Sequence, residues 1–463
     1  MRKGFRGLLF HSVSDPWALS GAEHESAEFF PDGLLVTEDG KVEAMGDFND
    51  LQSHYPNLDI QDLSGRLIIP GFIDGHIHFP QVRVLGSYGE ELLAWLQKWV
   101  FPEEAKYRDP EYAALGAKEF FDDLLSAGTT TCQVFTTASP TSTEALFKEA
   151  LARNVRVISG LTGMDRLAPP DACISPEDFL KESSRLIEKY HGKGRLLYAI
   201  TPRYALGSTR ELLEACGELK RRYPDCWVNT HLSETLQECS EVAKAFPDFP
   251  DYLAVYEGFG LVGEKFTGGH GIWLSDSELS RLHETGSALS FCPCSNLFLG
   301  SGLFQLGRIT DPARRVRFSV GSDIGGGNRF CMLPVLDEAY KVGMLNYTQI
   351  LFDHPEDPEK LAEAQRNRLS PYKALYASTL GGAESMRIDH LVGNFEPGKD
   401  ADFVVLDWNG GQRALRWRQS LKIDGSSPAD IHEAADLLFG LIAAGDDRAI
   451  KATYLMANCA WQR

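Results

Sequence analysis

Two histidines separated by one residue close an apolar run, Leu67-Ile-Ile-Pro-Gly-Phe-Ile-Asp-Gly-His-Ile-His78. A run of Leu, Ile and Phe predicts a strand buried on both faces, and residues i and i+2 of a strand point the same way. His76 and His78 therefore offer two imidazoles to one side, and neutral imidazole is a ligand for zinc and for iron. With 12 histidines in 463 residues, chance alone gives roughly 0.3 such pairs, so the motif needs further ligands to carry weight. They occur at the ends of later apolar runs. Trp227-Val-Asn-Thr-His231 ends in His231, Phe266-Thr-Gly-Gly-His270 in His270, and Val316-Arg-Phe-Ser-Val-Gly-Ser-Asp323 in Asp323. Each alone reads as a polar strand end or a turn residue. Together they predict a metal site.

The elements that must bring these residues together follow from the pattern of the chain. Eight apolar, β-branched runs lie between residues 67 and 327, at 67–78, 129–137, 155–164, 195–203, 227–234, 266–274, 288–296 and 316–323, with helical stretches between them. Alternating strands and helices imply a parallel sheet, and eight units over roughly 250 residues match a (β/α)8 barrel of the TIM type, with its site at the C-terminal strand ends. A doubly wound open sheet is the alternative. Residues 1–66 hold short β-like pieces and form the first part of a small β-sandwich domain, the barrel takes 67–388, and 389–463 return to β character to complete that domain, with a terminal segment. Helices are expected between Leu333 and Met386, broken at Gly381-Gly382. About 50 residues separate the first two barrel strands, a length typical of lids and binding loops. In that insertion Trp95 and Trp99 stand one helical turn apart, an aromatic face suited to core packing or to a wall of a substrate pocket.

Composition removes several classes of function. A net charge of -19 argues against a nucleic-acid surface. The N-terminal apolar run is too short for a signal sequence, and no segment approaches the roughly 20 apolar residues that span a bilayer, the stretch Leu437–Ala444 being interrupted by Gly440. Nine scattered cysteines fit reduced thiols and a cytoplasmic protein. The pair Cys292 and Cys294 is a weaker metal candidate, and Gly325-Gly-Gly327 lacks the Lys of a phosphate-binding loop and reads as a permissive turn. His354-Pro-Glu356 is followed by no Pro-Cys-x-x-Cys, which excludes the zinc deaminases of that signature.

His-x-His on the first strand, His on the fifth and sixth and Asp on the eighth resemble the pattern of the metal-dependent amidohydrolase superfamily. Within it the chain is similar to the guanine deaminase family, in Pro70-Gly-Phe-Ile-Asp-Gly-His-Ile-His-Phe-Pro-Gln81, Thr201-Pro-Arg-Tyr204, His231-Leu-Ser-Glu234, Phe291-Cys-Pro-Cys-Ser-Asn-Leu-Phe-Leu-Gly-Ser-Gly-Leu-Phe304 and Gly321-Ser-Asp-Ile-Gly-Gly-Gly327. The likeness runs from Gly33 to about Leu406 and is less clear over the last 50 residues. Cys294 departs from the usual Thr and alters the polarity of one expected wall.

The resemblance implies hydrolytic deamination of guanine to xanthine and ammonia, with His76, His78, His231 and Asp323 as metal ligands. Asp323 would also accept the proton of the attacking water, and His270 would act as electrostatic stabiliser. Relatives with two metals carry a bridging lysine at the end of the fourth strand; here Arg195-Leu-Leu-Tyr-Ala-Ile-Thr-Pro-Arg203 contains none, so one divalent ion is expected, zinc first and iron(II) second. Glu234, three residues after His231, is placed to pass a proton to a ring nitrogen, or alternatively to cap a helix. Gln81 and Arg203 follow two strands at the substrate end and, with Tyr204 and Trp95, are the candidate purine contacts; a salt bridge is the other reading of Arg203. The family also suggests a homodimer. Deamination of another heterocycle, such as a pterin, cytosine or an oxidised purine, and a non-catalytic scaffold are the competing functions.

Overall fold

The computed structural model describes residues 1–19, 21–88, 91–410 and 427–463. Eight parallel strands succeed one another around a barrel: Phe72–His78, Thr129–Phe135, Arg156–Gly160, Leu196–Pro202, Trp227–Leu232, Phe266–His270, Ala288–Phe291 and Arg317–Val320. A two-residue strand, Thr162–Gly163, adds to the fourth. The ring is drawn together between its last and first strands by the Asp323 N–H, which donates to the His76 carbonyl at 2.8 Å. Closure and the positioning of two candidate ligands are thus one contact.

The apolar run from Leu67 to His78 is two strands. Ile60–Pro70 belongs to a second sheet, and the barrel begins at Phe72. Gly71 is the switch: a Cβ there would fall 2.2 Å from Thr130 Oγ1, its N–H donates to the Asp402 carbonyl at 3.0 Å, and the next N–H donates to Gly128 at 3.1 Å. Hydropathy does not reveal the change, because both halves are buried. The second sheet is one continuous mixed sheet of seven strands from both termini, ordered Asn458–Gln462, Ile450–Leu455, Phe403–Leu406, Ile60–Pro70, Arg2–Ser12, Ala27–Glu38 and Lys41–Asp47. Gly381-Gly382 does not break a helix. Both residues lie inside the short helix Leu380–Ser385, and the interruption falls at Thr379. A Cβ at Gly381 would meet the Tyr376 ring at 2.5 Å, so packing explains that glycine. Gly440 likewise lies within a helix, Ile431–Ala444, and among the described residues no helix is long and apolar enough to cross a membrane.

Charged residues join the sheet to the bottom of the barrel. Arg156 reaches Asp400 at 2.5 Å, Arg195 pairs with Asp402, and all four are buried. Burial and the neighbouring Arg195 cation lower the Arg156 pKa, which the facing carboxylates only partly restore; Asp400, also penalised by burial, is held below its usual value by these arginines and Lys41. Removing one partner strands a charge in a dry site. Asp402→Ala is expected to destabilise the fold by about 3–5 kcal/mol, read by urea unfolding; a loss under about 1 kcal/mol would show the pair to be dispensable.

Candidate active site

The strand-end residues converge at the C-terminal mouth of the barrel. His78 Nε2 lies 3.2 Å from His231 Nε2, while Asp323 Oδ1 lies 3.3 Å from His78 Nε2 and 3.4 Å from His76 Nε2. A tetrahedral zinc with ligands at about 2.0–2.1 Å has donor-to-donor edges of about 3.3–3.4 Å. Three edges among these four atoms, His78–His231, His78–Asp323 and His76–Asp323, therefore match those around a zinc-sized ion. Both nitrogens of His76, Nδ1 of His78 and Nε2 of His270 lack a hydrogen-bond partner among the described residues, although all are buried. Such orphaned polar atoms in a dry place are costly unless something else binds there. The donor set fits a divalent ion.

Local backbone and neighbours aim each ring. Gly269 leaves space for His76, since a Cβ there would sit 2.5 Å from its Cε1. His231 Nδ1 donates to the Arg203 carbonyl at 2.6 Å, which fixes the tautomer and leaves Nε2 free to coordinate. The His78 ring stacks on Phe135 at 4.7 Å. His270 and Asp323 both adopt positive φ, 69° and 49°, a conformation Asp and His visit more readily than most residues and one that gathers at functional sites. Asp74, just before the motif, accepts from the His76 N–H at 3.1 Å and the Ser322 N–H at 3.0 Å, tying the first and eighth strand ends together.

Electrostatics separates the fourth histidine from the other three. Burial lowers His76 and His231 and pushes His78 down to about 3, so these imidazoles are neutral and ready as ligands. Burial opposes the charge on His270 too, but the Glu234 and Asp323 carboxylates overcome it and raise its pKa. Its Nδ1 is held by Asn296 Oδ1 at 2.8 Å, and Nε2 lies 3.4 Å from Glu234 and 3.8 Å from Asp323. Glu234 is buried, which raises its carboxyl to about 7, and Ser301 donates to Oε1 at 3.1 Å. The helix that follows is capped by Thr235 with Glu238, not by Glu234. Glu234 is left to face the site.

A recess of about 420 Å³, including its open mouth, lies over these groups. His78, His231, Glu234, His270 and Asp323 line it together with Gln81, Arg203, Tyr204 and Trp95. Trp95 is buried with its ring N–H on Ser87 Oγ at 2.9 Å, whereas Trp99 is partly exposed and binds the Tyr88 carbonyl at 3.2 Å. Only the first tryptophan of the expected aromatic face reaches the recess. Arg203 does form a buried salt bridge, to Glu104, while still lining the recess. Cys294 lies on the short helix Pro293–Phe298 but is not a lining residue, and Ser295 takes that wall. Cys292 Sγ comes within 4.8 Å of donor atoms of His76, His270 and Asp323. Burial pushes its thiol pKa far up, and it donates to the Ser290 carbonyl at 3.6 Å, so it remains a neutral thiol.

The model of the amidohydrolase family matches residues 67–431. The chain belongs to the amidohydrolase family. A guanine deaminase of Escherichia coli K12 is 42% identical over 466 residues, covering 100% of this chain and 98% of the relative. The crystal structure of a guanine deaminase from Bradyrhizobium japonicum superposes with a TM-score of 0.97 at 55% identity, covering 100% of both chains. That of a guanine deaminase from C. acetobutylicum with bound guanine superposes with a TM-score of 0.84 at 27% identity, over 99% and 100% of the two chains.

Several groups of this amidohydrolase site escape sequence reasoning. Asn296 and Ser301 lie within the Phe291–Phe304 motif, but nothing in their spacing tells that they hold His270 and Glu234. Glu104 and Glu238 read as ordinary helix carboxylates. The four converging donors carry a direct expectation: elemental analysis finds one divalent ion per chain, lost in His76→Ala and His231→Ala. Two ions per chain, or none in active protein, would contradict this geometry.

Proposed function

We propose that this amidohydrolase hydrolyses guanine to xanthine and ammonia. The observation that carries the reading is a buried Glu234 facing the donor group from one side of a recess whose other wall presents Arg203 and Gln81. The full-length likeness to guanine deaminases supports it. His76, His78, His231 and Asp323 are the ligands in this reading, and zinc is the ion we propose, because three imidazoles and a carboxylate match its preferences. Bound there, it would supply Lewis acidity that lowers the pKa of water to near 7 and makes a nucleophile available at neutral pH.

Asp323 turns Oδ1 toward the histidines and keeps Oδ2 to receive the proton that the attacking water loses. His270, whose pKa its neighbouring carboxylates raise and whose ring Asn296 orients, stabilises the negative charge that develops beside it. Glu234, near half protonated at neutral pH, gives its proton to the ring nitrogen next to the attacked carbon and recovers one for transfer to the departing amine. A carbon–oxygen bond forms, the carbon–nitrogen bond to the amino group breaks, and ammonia leaves. Arg203 donates to the purine carbonyl oxygen, Gln81 accepts the adjacent ring N–H, and Trp95 and Tyr204 cover the base. Adenine presents an amine where guanine presents that oxygen. Facing Arg203, the amine would leave a buried donor unpaired at a cost of roughly 1–3 kcal/mol.

We also propose a cytoplasmic homodimer. All nine cysteines are free, in keeping with a reducing compartment; light scattering should return twice the 51.4 kDa chain mass.

Ammonia release from a panel of purines, pterins and pyrimidines tests the reading, with guanine expected to dominate and a preferred pterin or pyrimidine overturning it. Glu234→Gln is expected to keep its metal and fold and lose about 10²-fold or more in kcat; near-normal turnover would remove Glu234 from the chemistry. Arg203→Ala is expected to lose at least about 10-fold in kcat/KM for guanine at unchanged metal content, because His231 is oriented by the Arg203 backbone carbonyl, which the substitution keeps. Equal use of guanine and adenine by the unaltered enzyme would contradict the assigned pocket.

A further inference from the structure

Glu104 is almost wholly buried, at 2% exposure, yet it belongs neither to the metal group nor to the proton path. It sits on the helical insertion after the first barrel strand, at the end of the helix Phe101–Glu104. Arg203 Nη1 donates to both of its oxygens, at 2.9 and 2.7 Å, and Gln81 Nε2 donates to Oε1 at 3.0 Å. Phe101, on the same helix, packs its ring against the Arg203 guanidinium at 5.5 Å. The insertion therefore grips both candidate purine contacts, one from the first strand end and one from the fourth.

A carboxylate in a salt bridge only accepts hydrogen bonds, so the end of the Gln81 amide that faces Glu104 must be the NH2 group. This orientation follows from chemistry and not from the assignment of two atoms of similar size. Gln81 Oε1 then makes no hydrogen bond among the described residues and lies against the backbone of Gly325, where a Cβ would come within 2.0 Å. Arg203 commits Nη1 to Glu104, and among the described residues the rest of its fork shows no hydrogen-bond partner.

We infer that Glu104 is a positioning residue that fixes the order of donor and acceptor in the recess, with Arg203 as donor and Gln81 as acceptor. This order complements a lactam edge, a ring carbonyl beside a ring N–H, and opposes an amidine edge, an amine beside an unprotonated ring nitrogen. The inference rests on the guanine reading for the identity of the ligand and extends it to the class of purine the pocket admits. Without a fixed carboxylate the Gln81 amide can turn over, and the pocket loses its preference.

Hypoxanthine and adenine test this directly. Hypoxanthine has the lactam edge and adenine the amidine edge, and neither carries the 2-amino group that the proposed reaction removes. Binding of each is measured by titration calorimetry to the metal-containing enzyme, to Glu104→Gln, whose amide can donate or accept, and to Glu104→Asp, too short to reach both partners. The expected result is at least a tenfold preference for hypoxanthine in the unaltered enzyme, compressed to less than threefold in both variants, with metal content unchanged. A preference that survives in either folded variant, or is absent from the unaltered enzyme, overturns the inference. Failure of both variants to fold would make Glu104 a structural residue and overturn it equally. Ammonia release from guanine by the unaltered enzyme separately decides the guanine reading, so the two failures are distinguishable.

Discussion

Three imidazoles and a carboxylate gathered in a dry site, with His78 3.2 Å from His231 and Asp323 3.3 Å and 3.4 Å from His78 and His76, are an arrangement that proteins do not keep without cause. Neutral rings facing nitrogen to nitrogen can share one N–H···N contact, and burial strips away the water that would otherwise satisfy their remaining atoms. The surrounding architecture is what enforces it. Closure of the barrel through the Asp323 N–H and the His76 carbonyl fixes two of the donors, a glycine on the sixth strand makes room for one ring, and the Arg203 carbonyl sets the tautomer of another. Positive φ at His270 and Asp323 adds local strain that the packed barrel must offset.

Around that constraint the site divides its labour by environment. Identical side chains are pushed in opposite directions: burial lowers the pKa of three histidines, while two carboxylates outweigh burial and raise that of the fourth. The carboxyls divide likewise. Asp323, surrounded by imidazoles, is held far below its usual pKa despite burial, while burial pushes Glu234 up to about 7. Pairs of titratable groups driven apart in this way mark out acid and base roles without any change of residue type. Arg203 links the two halves of the recess, its carbonyl serving the donor group and its guanidinium the far wall.

Much of this was legible in the sequence because strands order their residues simply. An apolar run tells where a strand is, its last polar residue tells what stands at the mouth, and chain order around a parallel barrel brings distant runs together. That logic located His76, His78, His231, His270 and Asp323, and with them Glu234 and Arg203. It fails where contacts are made through space between unlike elements. Glu104 meets Arg203 from 99 residues away on a helical insertion whose pattern says nothing about what it covers. Trp99 has the helical spacing to share the face of Trp95 and turns to solvent instead. The run from Leu67 to His78 is continuous in hydropathy yet serves two sheets, and Gly71 alone marks the change.

We propose that one ion, held by this donor group, makes the recess a guanine deaminase site. Titrating metal-stripped enzyme with zinc while following ammonia release from guanine tests it most directly. Activity is expected to rise linearly and level off at one equivalent per chain. Activity that persists in the stripped enzyme, or that levels off only at two equivalents, would contradict it.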